Sequence, residues 1–357
     1  MTTMQPQDAT PSPLDTGEPA AADATFTANA REGVSLNVVL TGASSGIGRA
    51  TALAFAAQGA SLVLASRHRE NLQAVAQACE EAGGRAMVVP TDVTDAGAVQ
   101  ALADAAVSHL GHVDLWINNV GVGAVGLFDE TPMEAHRRVI EANLLGHMHG
   151  AYAILPHFKS RGHGTLVNMI SLGGWVPAPY ATAYTASKFG LRGFSESLRA
   201  ELADQPQIHV CEVYPTFVDT PGMSHGANYS GGQLRPPPPV VDPRTVASAL
   251  VSLATRPRPS TYIGAPARPG ILAHALAPNL VVRTMKWLTD KSLQRARPAA
   301  RSDGNLFEPS RGAAIDGGFR STSAINPAAV AIGAAAAGLG ALALAGAWAR
   351  RRQRRGA

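Results

Sequence analysis

The chain predicts an α/β fold: a doubly wound parallel sheet with helices on both faces. Three observations lead there. From Leu36 onward, short apolar runs alternate with amphipathic helical stretches, and a glycine-rich turn joins the first run to the first helix. The composition is 46% hydrophobic and only 16% charged, which suits strands buried on both faces. Strands separated by helices imply parallel neighbours, because a parallel pair needs a crossover connection.

The elements follow in order. Residues 1–33 are rich in Ala, Thr, Asp and Pro, show no hydrophobic period, and lack the basic start and apolar run of a secretory signal. They are expected to form a disordered N-terminal arm. Buried strands are predicted at 38–41, 62–66, 87–90, 115–118, 166–170 and 209–214. Helices are predicted between them, as at 48–58 and 71–82. Residues 219–243 are rich in Gly and Pro and follow a strand's carboxyl end, where open α/β sheets bind ligands, so they read as a substrate lid. A helix at 244–254 and a strand near 261–264 complete a domain over 34–265. Residues 266–326 form a C-terminal extension in which 287–318 carry no regular pattern.

The net charge of +4 arises in the tail. Arg350, Arg351, Arg352, Arg354 and Arg355 lie in the last eight residues, and without them 25 basic residues face 26 acidic ones. A nucleic-acid partner is therefore not expected of the main domain. Cys79 and Cys211 fall in a predicted helix and a predicted strand, which favours buried thiols over a disulfide framework.

The chemistry begins at Thr41-Gly42-Ala-Ser44-Ser45-Gly46-Ile47-Gly48. Glycines between a strand and a helix permit a tight turn, close approach to a diphosphate and close strand-to-helix packing, while the helix N-terminus offers unpaired N–H groups to phosphate. At the end of the second strand, where an NAD site places a carboxylate, Ser66 is followed by Arg67. A guanidinium can pair with a 2′-phosphate, so NADP(H) is preferred over NAD(H). Asp92 and Val93, after the third strand, sit where an adenine edge would be read, and Asp92 equally suits a turn or helix cap. Tyr184 and Lys188 project from one helix face a turn apart. A free tyrosine titrates near ~10, and an adjacent ammonium with a positive nicotinamide ring would favour the phenolate. Tyr184 then exchanges a proton with a substrate oxygen, Ser171 donates to that oxygen, and Asn143 holds a water against Lys188. His147, His149 and His157 lie near Asn143 without the partners of a closed metal site and read as surface or interface residues.

Over residues 36–264 these motifs resemble the short-chain dehydrogenase/reductase family. The resemblance is carried by the glycine-rich turn, Asn118-Asn119-Val120-Gly121, Asn143, Ser171 thirteen residues before Tyr184, and Tyr184-x-x-x-Lys188. It implies a seven-stranded Rossmann-like sheet and an Asn143, Ser171, Tyr184, Lys188 catalytic group. It also implies that Lys188 grips the nicotinamide ribose, that Asn119 and Gly121 lie beside the cofactor, and that Pro215, Val218 and Thr220 border the nicotinamide carboxamide. The long helix carrying Asn143 often forms a dimer face in that family, so a homo-oligomer is expected from the resemblance. Two residues depart from the pattern: Val120 replaces the usual Ala, and Thr216 stands where Gly commonly follows Pro215.

Residues 328–349 contain no charged or polar side chain except the Trp348 indole, which is about the length needed to cross a bilayer core. A membrane-attached C-terminal helix at 327–349, followed by a basic tail at 350–357, is expected. The resulting expectation is an NADP(H)-dependent carbonyl reductase or alcohol dehydrogenase, acting on an apolar substrate at the cytoplasmic face of a membrane. The alternatives are an NAD(H)-dependent dehydrogenase of the same family and an NADP(H)-sensing protein without turnover.

Overall fold

Val38, Val39 and Leu40 are all fully buried, yet alternate side chains of this one strand enter two different cores. This is the two-residue period of a strand covered on both faces. In the computed structural model, which describes residues 35–265, 267–310 and 312–320, that strand is β1 (Asn37–Thr41). It is followed by α1 (Gly46–Ala56), β2 (Ser61–Ser66), α2 (Arg69–Glu81), β3 (Arg85–Pro90), α3 (Ala96–Leu110) and β4 (Leu115–Asn118). Next come a two-residue strand β5 (Ala124–Val125), α4 (Met133–Ile140), a π-helical turn Glu141–Leu145, α5 (Gly146–Arg161) and β6 (Gly164–Met169). Then follow α6 (Thr182–Glu201), β7 (Ile208–Pro215), a helical turn α7 (Gly222–His225), β8 (Ala227–Asn228), α8 (Pro243–Thr255) and β9 (Ser260–Ile263). Helices α9 (Ala267–Leu276) and α10 (Pro278–Arg295) close the series.

The seven longer strands form one parallel sheet in the order β3-β2-β1-β4-β6-β7-β9. The six strands predicted before residue 215 are all present, and the seventh, near 261–264, is β9. Val38 and Leu40 pack with α1, α2 and α8 through residues such as Phe55, Leu72 and Leu250, whereas Val39 packs with α3 and α5 through Leu102 and Ile154. Cys79 and Cys211 are buried free thiols in the first of these cores.

Local chemistry starts and stops the helices. The Asp95 carboxylate accepts from Gly97 N and Ala98 N at the start of α3, and Asp242 caps α8 with Pro243 behind it. Gly162, at φ 73°, ends α5 in the left-handed conformation that favours glycine. Because strand order reverses between β1 and β4, the carboxyl ends of these neighbours diverge into a crevice, the ligand position of open α/β sheets.

Two segments differ from expectation. The stretch from 287 onward is not irregular throughout, since α10 runs as one helix to Arg295. None of its residues is buried, and Leu280, Trp287 and Leu288 are exposed, so core-facing periodicity is not what forms it. The lid at 219–243 is tied to the extension: Asn228 pairs antiparallel with Ser302, and Gly232 with Pro298. Among the described residues no helix is long and apolar enough to cross a membrane. The expected arm at 1–33, the helix at 327–349 and the tail at 350–357 lie outside the described residues, and the extension is described as far as Arg320.

Candidate active site

The predicted residues lie along the carboxyl ends of the strands on either side of the reversal point. The glycine-rich turn is fixed by contact as well as by backbone freedom: a Cβ on Gly48 would lie 2.0 Å from the Gly42 carbonyl oxygen, a clash of main chain that no rotamer can relieve. Gly42 and Gly46 have φ of 66° and 54°. Asn119 pins this turn to β4, its amide donating to the carbonyls of Thr41 and Gly42 at 3.1 Å each, while its own N–H reaches Thr41 Oγ1 at 3.1 Å. Ser45 is the N-cap of α1 and its side chain makes no cap bond; Ser44 and Ser45 are both half-buried. Ile47 packs on the core behind them. The turn thus forms a close-approach cradle at a helix N-terminus, which fits a diphosphate.

Ser171 follows β6 and Tyr184 lies in the first turns of α6. The Ser171 hydroxyl accepts from Gly173 N at 3.1 Å and neighbours the Tyr184 phenol. The Tyr184 ring passes between Gly173 and Gly123; a Cβ on Gly173 would fall 3.1 Å from it. Ser171 has φ 152° and Tyr180 φ 65°, backbone conformations that side chains disfavour, and both flank the loop that carries the site.

Lys188 sits one helical turn beyond Tyr184, with Nζ 5.8 Å from the phenol ring centre, and donates to the Met169 carbonyl at 2.9 Å. Only 2% of it is exposed, and burial pushes its amine down to about 7. Burial also raises the Tyr184 phenol above its usual range, opposed in part by the neighbouring Ser171 hydroxyl. The expectation of a lowered tyrosine is therefore not met by the protein alone, because desolvation outweighs the neighbours it provides. Gly121 brings its backbone beside the amine, where a Cβ on this glycine would lie 3.9 Å from Lys188 Nζ.

Asn143 occupies the π-helical turn, where Gly146 N–H bonds back to the Glu141 carbonyl. Such turns interrupt α-helices at functional positions. Its amide is fully committed: Oδ1 accepts from Val122 N at 2.8 Å, and Nδ2 donates to Val122 O at 2.9 Å and Ser187 Oγ at 3.1 Å. The side chain therefore clamps the segment at Val122 to α6.

The three histidines also take up interior bonding. His147 is 1% exposed, with Nε2 2.9 Å from the Val120 carbonyl, and burial pushes its imidazole down to about 3. His149 Nδ1 meets the Val93 carbonyl and His157 Nε2 accepts from Val113 N. His147 is thus buried where a surface or interface position was expected, while His149 and His157 are half-buried.

Behind the site lies a buried polar frame that the sequence motifs do not announce. Asn118 accepts from Trp116 Nε1 at 2.8 Å and donates to His147 O and Asn168 Oδ1 at 3.0 Å each; Asn168 then donates to Ser195 at 2.9 Å. Every member is bonded, so the network fixes β4, β6, α5 and α6 together. Asparagines inside otherwise apolar strands are the one signal of it in the sequence.

At the opposite end of the crevice, Asp92 accepts from Thr94 N at 3.0 Å and pairs with Arg138 at 2.6 Å, and Val93 is buried against Gly146. Arg67 lies at the end of β2, donating to the carbonyls of Asn305, Leu306 and Phe307 at 2.6 to 3.0 Å. Pro215 ends β7, Val218 pairs with Val241, and Thr220 lies against Gly46, 3.2 Å from a Cβ placed there. Thr216, the departure from glycine, is accommodated by Gly264: at φ 107° and without a side chain, Gly264 leaves room for the Thr216 hydroxyl, which a Cβ would approach to 2.1 Å.

The chain has known relatives in sequence and in structure. The family model for short chain dehydrogenases matches residues 36–228. An oxidoreductase of Bacillus subtilis, YxnA, itself uncharacterised, is 33% identical over 275 residues, covering 76% of this chain and 77% of its own. A fatty acyl-CoA reductase of Acinetobacter baylyi is 33% identical over 255 residues, 70% of this chain and 83% of its own. Among solved structures, an alcohol dehydrogenase of Thermococcus sibiricus complexed with 5-hydroxy-NADP superposes with a TM-score of 0.56 at 28% identity, covering 64% of this chain and 95% of that one.

Proposed function

This chain belongs to the short-chain dehydrogenase/reductase family and is an NAD(P)-dependent oxidoreductase, and we propose that it reduces apolar ketones or aldehydes, or oxidises the matching alcohols, with NADP(H) in preference to NAD(H). The observation that carries the reaction is the convergence of Ser171 and Tyr184, with the buried Lys188 amine one helical turn from the phenol.

The nicotinamide supplies or accepts the hydride at the carbonyl carbon. In the reducing direction Tyr184 gives its phenolic proton to the substrate oxygen as the carbon receives hydride, so that C=O becomes CH–OH. Ser171 donates to the same oxygen and stabilises its developing charge. The raised phenol suits this role, since it keeps the proton on Tyr184 until a substrate oxygen takes it. Lys188 holds the nicotinamide ribose and offsets the phenolate left behind. Asn143 positions Val122 and, through Ser187, the turn of α6 that bears Tyr184. Gly42, Ser44, Ser45, Gly46, Ile47 and Gly48 cradle the diphosphate, Asp92 and Val93 border the adenine, and Arg67 meets the 2′-phosphate. Asn119, Gly121, Pro215, Val218 and Thr220 border the nicotinamide end.

An apolar substrate is supported by the name of the Acinetobacter relative and by the exposed Leu272, Leu276, Leu280, Trp287 and Leu288 of α9 and α10. The same surface, with the apolar composition of 328–349, supports attachment to a membrane from its cytoplasmic face. Leu145, Met148 and Tyr152, exposed along one side of the helix that carries Asn143, support a homo-oligomer.

The test is turnover of NADPH with a panel of ketones and aldehydes of graded chain length. Tyr184→Phe is expected to lower kcat at least ~100-fold with cofactor affinity retained. Equal rates in the two proteins would refute the catalytic role of Tyr184.

A further inference from the structure

Two cofactor groups named above, Arg67 and Gly46, and two neighbouring donors, Arg49 and Asn71, are already engaged by residues 305–310 and 312–314 of the same chain. Arg67 donates to three consecutive carbonyls, of Asn305, Leu306 and Phe307. Asn71, in the first turn of α2, donates to Ser310 O at 3.2 Å, Arg49 of α1 to Ala313 O at 2.6 Å, and the Gly46 N–H to Ala314 O at 2.9 Å. Every acceptor here is a peptide carbonyl. Donors suited to phosphate oxygens thus meet a row of oxygens bearing partial negative charge, in the order from the 2′-phosphate position at β2 to the diphosphate position at α1.

Both ends of the segment are built in. At its start, Gly304 has φ 52° and packs so tightly on the His225–Gly226 backbone that a Cβ would lie 2.4 Å from the His225 carbonyl oxygen. Leu306 next to it is 1% exposed, in a cluster that Tyr184 borders. At its far end the Asp219 carboxylate accepts from Gly317 N, Phe319 N and Arg320 N, and from Arg320 Nε at 3.0 Å. The Arg320 guanidinium also pairs with Asp316 and Asp242. One arginine held by three carboxylates makes a latch: its bridges to Asp242 and Asp316 are part-exposed and individually weak, whereas Asp219, 3% exposed, is its firm point.

We propose that residues 304–320 are an intrasteric strap: docked, they occupy Arg67 and Gly46, and NADP(H) binds in full only when these carbonyls let go. This rests on the cofactor reading above. Three of the five guanidinium N–H groups, drawn from both terminal nitrogens, are taken by the strap carbonyls, so strap and 2′-phosphate compete for the same donors at Arg67. NAD(H), which has no 2′-phosphate, competes only at Gly46 and is held back less.

The test uses the full chain. Gly304→Val and Arg320→Ala together undock the strap, one by clash and one by loss of the latch. Dissociation constants for NADPH and NADH are measured by cofactor fluorescence. If the strap is docked in about nine molecules of ten, freeing it tightens NADPH binding ~10-fold and NADH binding less. In the unaltered protein, saturating NADPH is expected to speed tryptic cleavage after Arg320. Unchanged NADPH affinity in the variant, weaker affinity, or protection of Arg320 by NADPH would overturn the proposal, the last two showing a wall of the cofactor site instead. Failure of both proteins to bind either cofactor would refute the cofactor reading, and the strap with it.

Discussion

Replacing Lys188 by methionine should make the protein more stable while removing its activity, and the gain should depend on pH in a calculable way. The amine is 2% exposed, with the Met169 carbonyl as its bonded partner, and burial lowers its titration from 10.5 to about 7. A lysine whose folded pKa lies below its unfolded one penalises the fold wherever the unfolded chain binds the extra proton. The penalty is complete below about 7, declines as pH rises through the interval, and vanishes above 10.5. A shift of this size corresponds to at most ~5 kcal/mol at ~1.4 kcal/mol per unit. Methionine keeps the length of the side chain but leaves the Met169 carbonyl without its partner, which returns ~1 kcal/mol or more. A net stabilisation of ~2–4 kcal/mol at pH 6 is expected, narrowing by ~2–3 kcal/mol at pH 9. Urea unfolding of both proteins without cofactor, at both pH values, measures the gap; groups common to the two cancel in the difference. A gap independent of pH, or a Lys188→Met protein less stable than the parent at pH 6, would refute the reasoning.

Two further outcomes are expected from the cradle. Gly48→Ala places a methyl 2.0 Å from the Gly42 carbonyl oxygen, so the turn must open; a loss of ~3 kcal/mol or more in urea unfolding, with weakened binding of both cofactors, is expected. Normal stability and normal binding would show that the turn relaxes freely. Arg67→Ala should weaken NADPH binding ~10–100-fold relative to NADH, the value of a charge-assisted pair. Because the arginine also holds the carbonyls at 305–307, proteolysis after Arg320 should accelerate in the same variant. An unchanged ratio of the two affinities would remove Arg67 from cofactor choice.

Most of the fold was legible because the signals were local. A strand buried on both faces needs an apolar run, and a crossover needs an amphipathic helix, so the seven strands of the main sheet and the helices between them announce themselves within windows of ten or so residues. The surface helix α10 did not, because none of its residues is buried in the core. The site residues were legible for a related reason: Ser171, Tyr184 and Lys188 lie on consecutive elements around one strand end, so their order in the chain survives as their arrangement in space. Asn143 was legible as a position only. That its amide serves Val122 and Ser187 depends on a π-helical turn, and nothing in five residues of sequence encodes which carbonyl such a turn will face.

Spacing along one or two elements was enough to specify the parallel α/β architecture, the glycine cradle and the chemical identity of the Tyr184 and Lys188 pair. How these groups are charged, and what already occupies them, emerged only in the folded chain. In the protein without cofactor, burial raises the Tyr184 phenol, because desolvation is the sum of everything packed around a group. The strap placed carbonyls 305–307 on Arg67, a contact between residues some 240 positions apart that no local pattern records. Charge state and occupancy are set by distant chain brought near, and distance through the fold is what a sequence does not display.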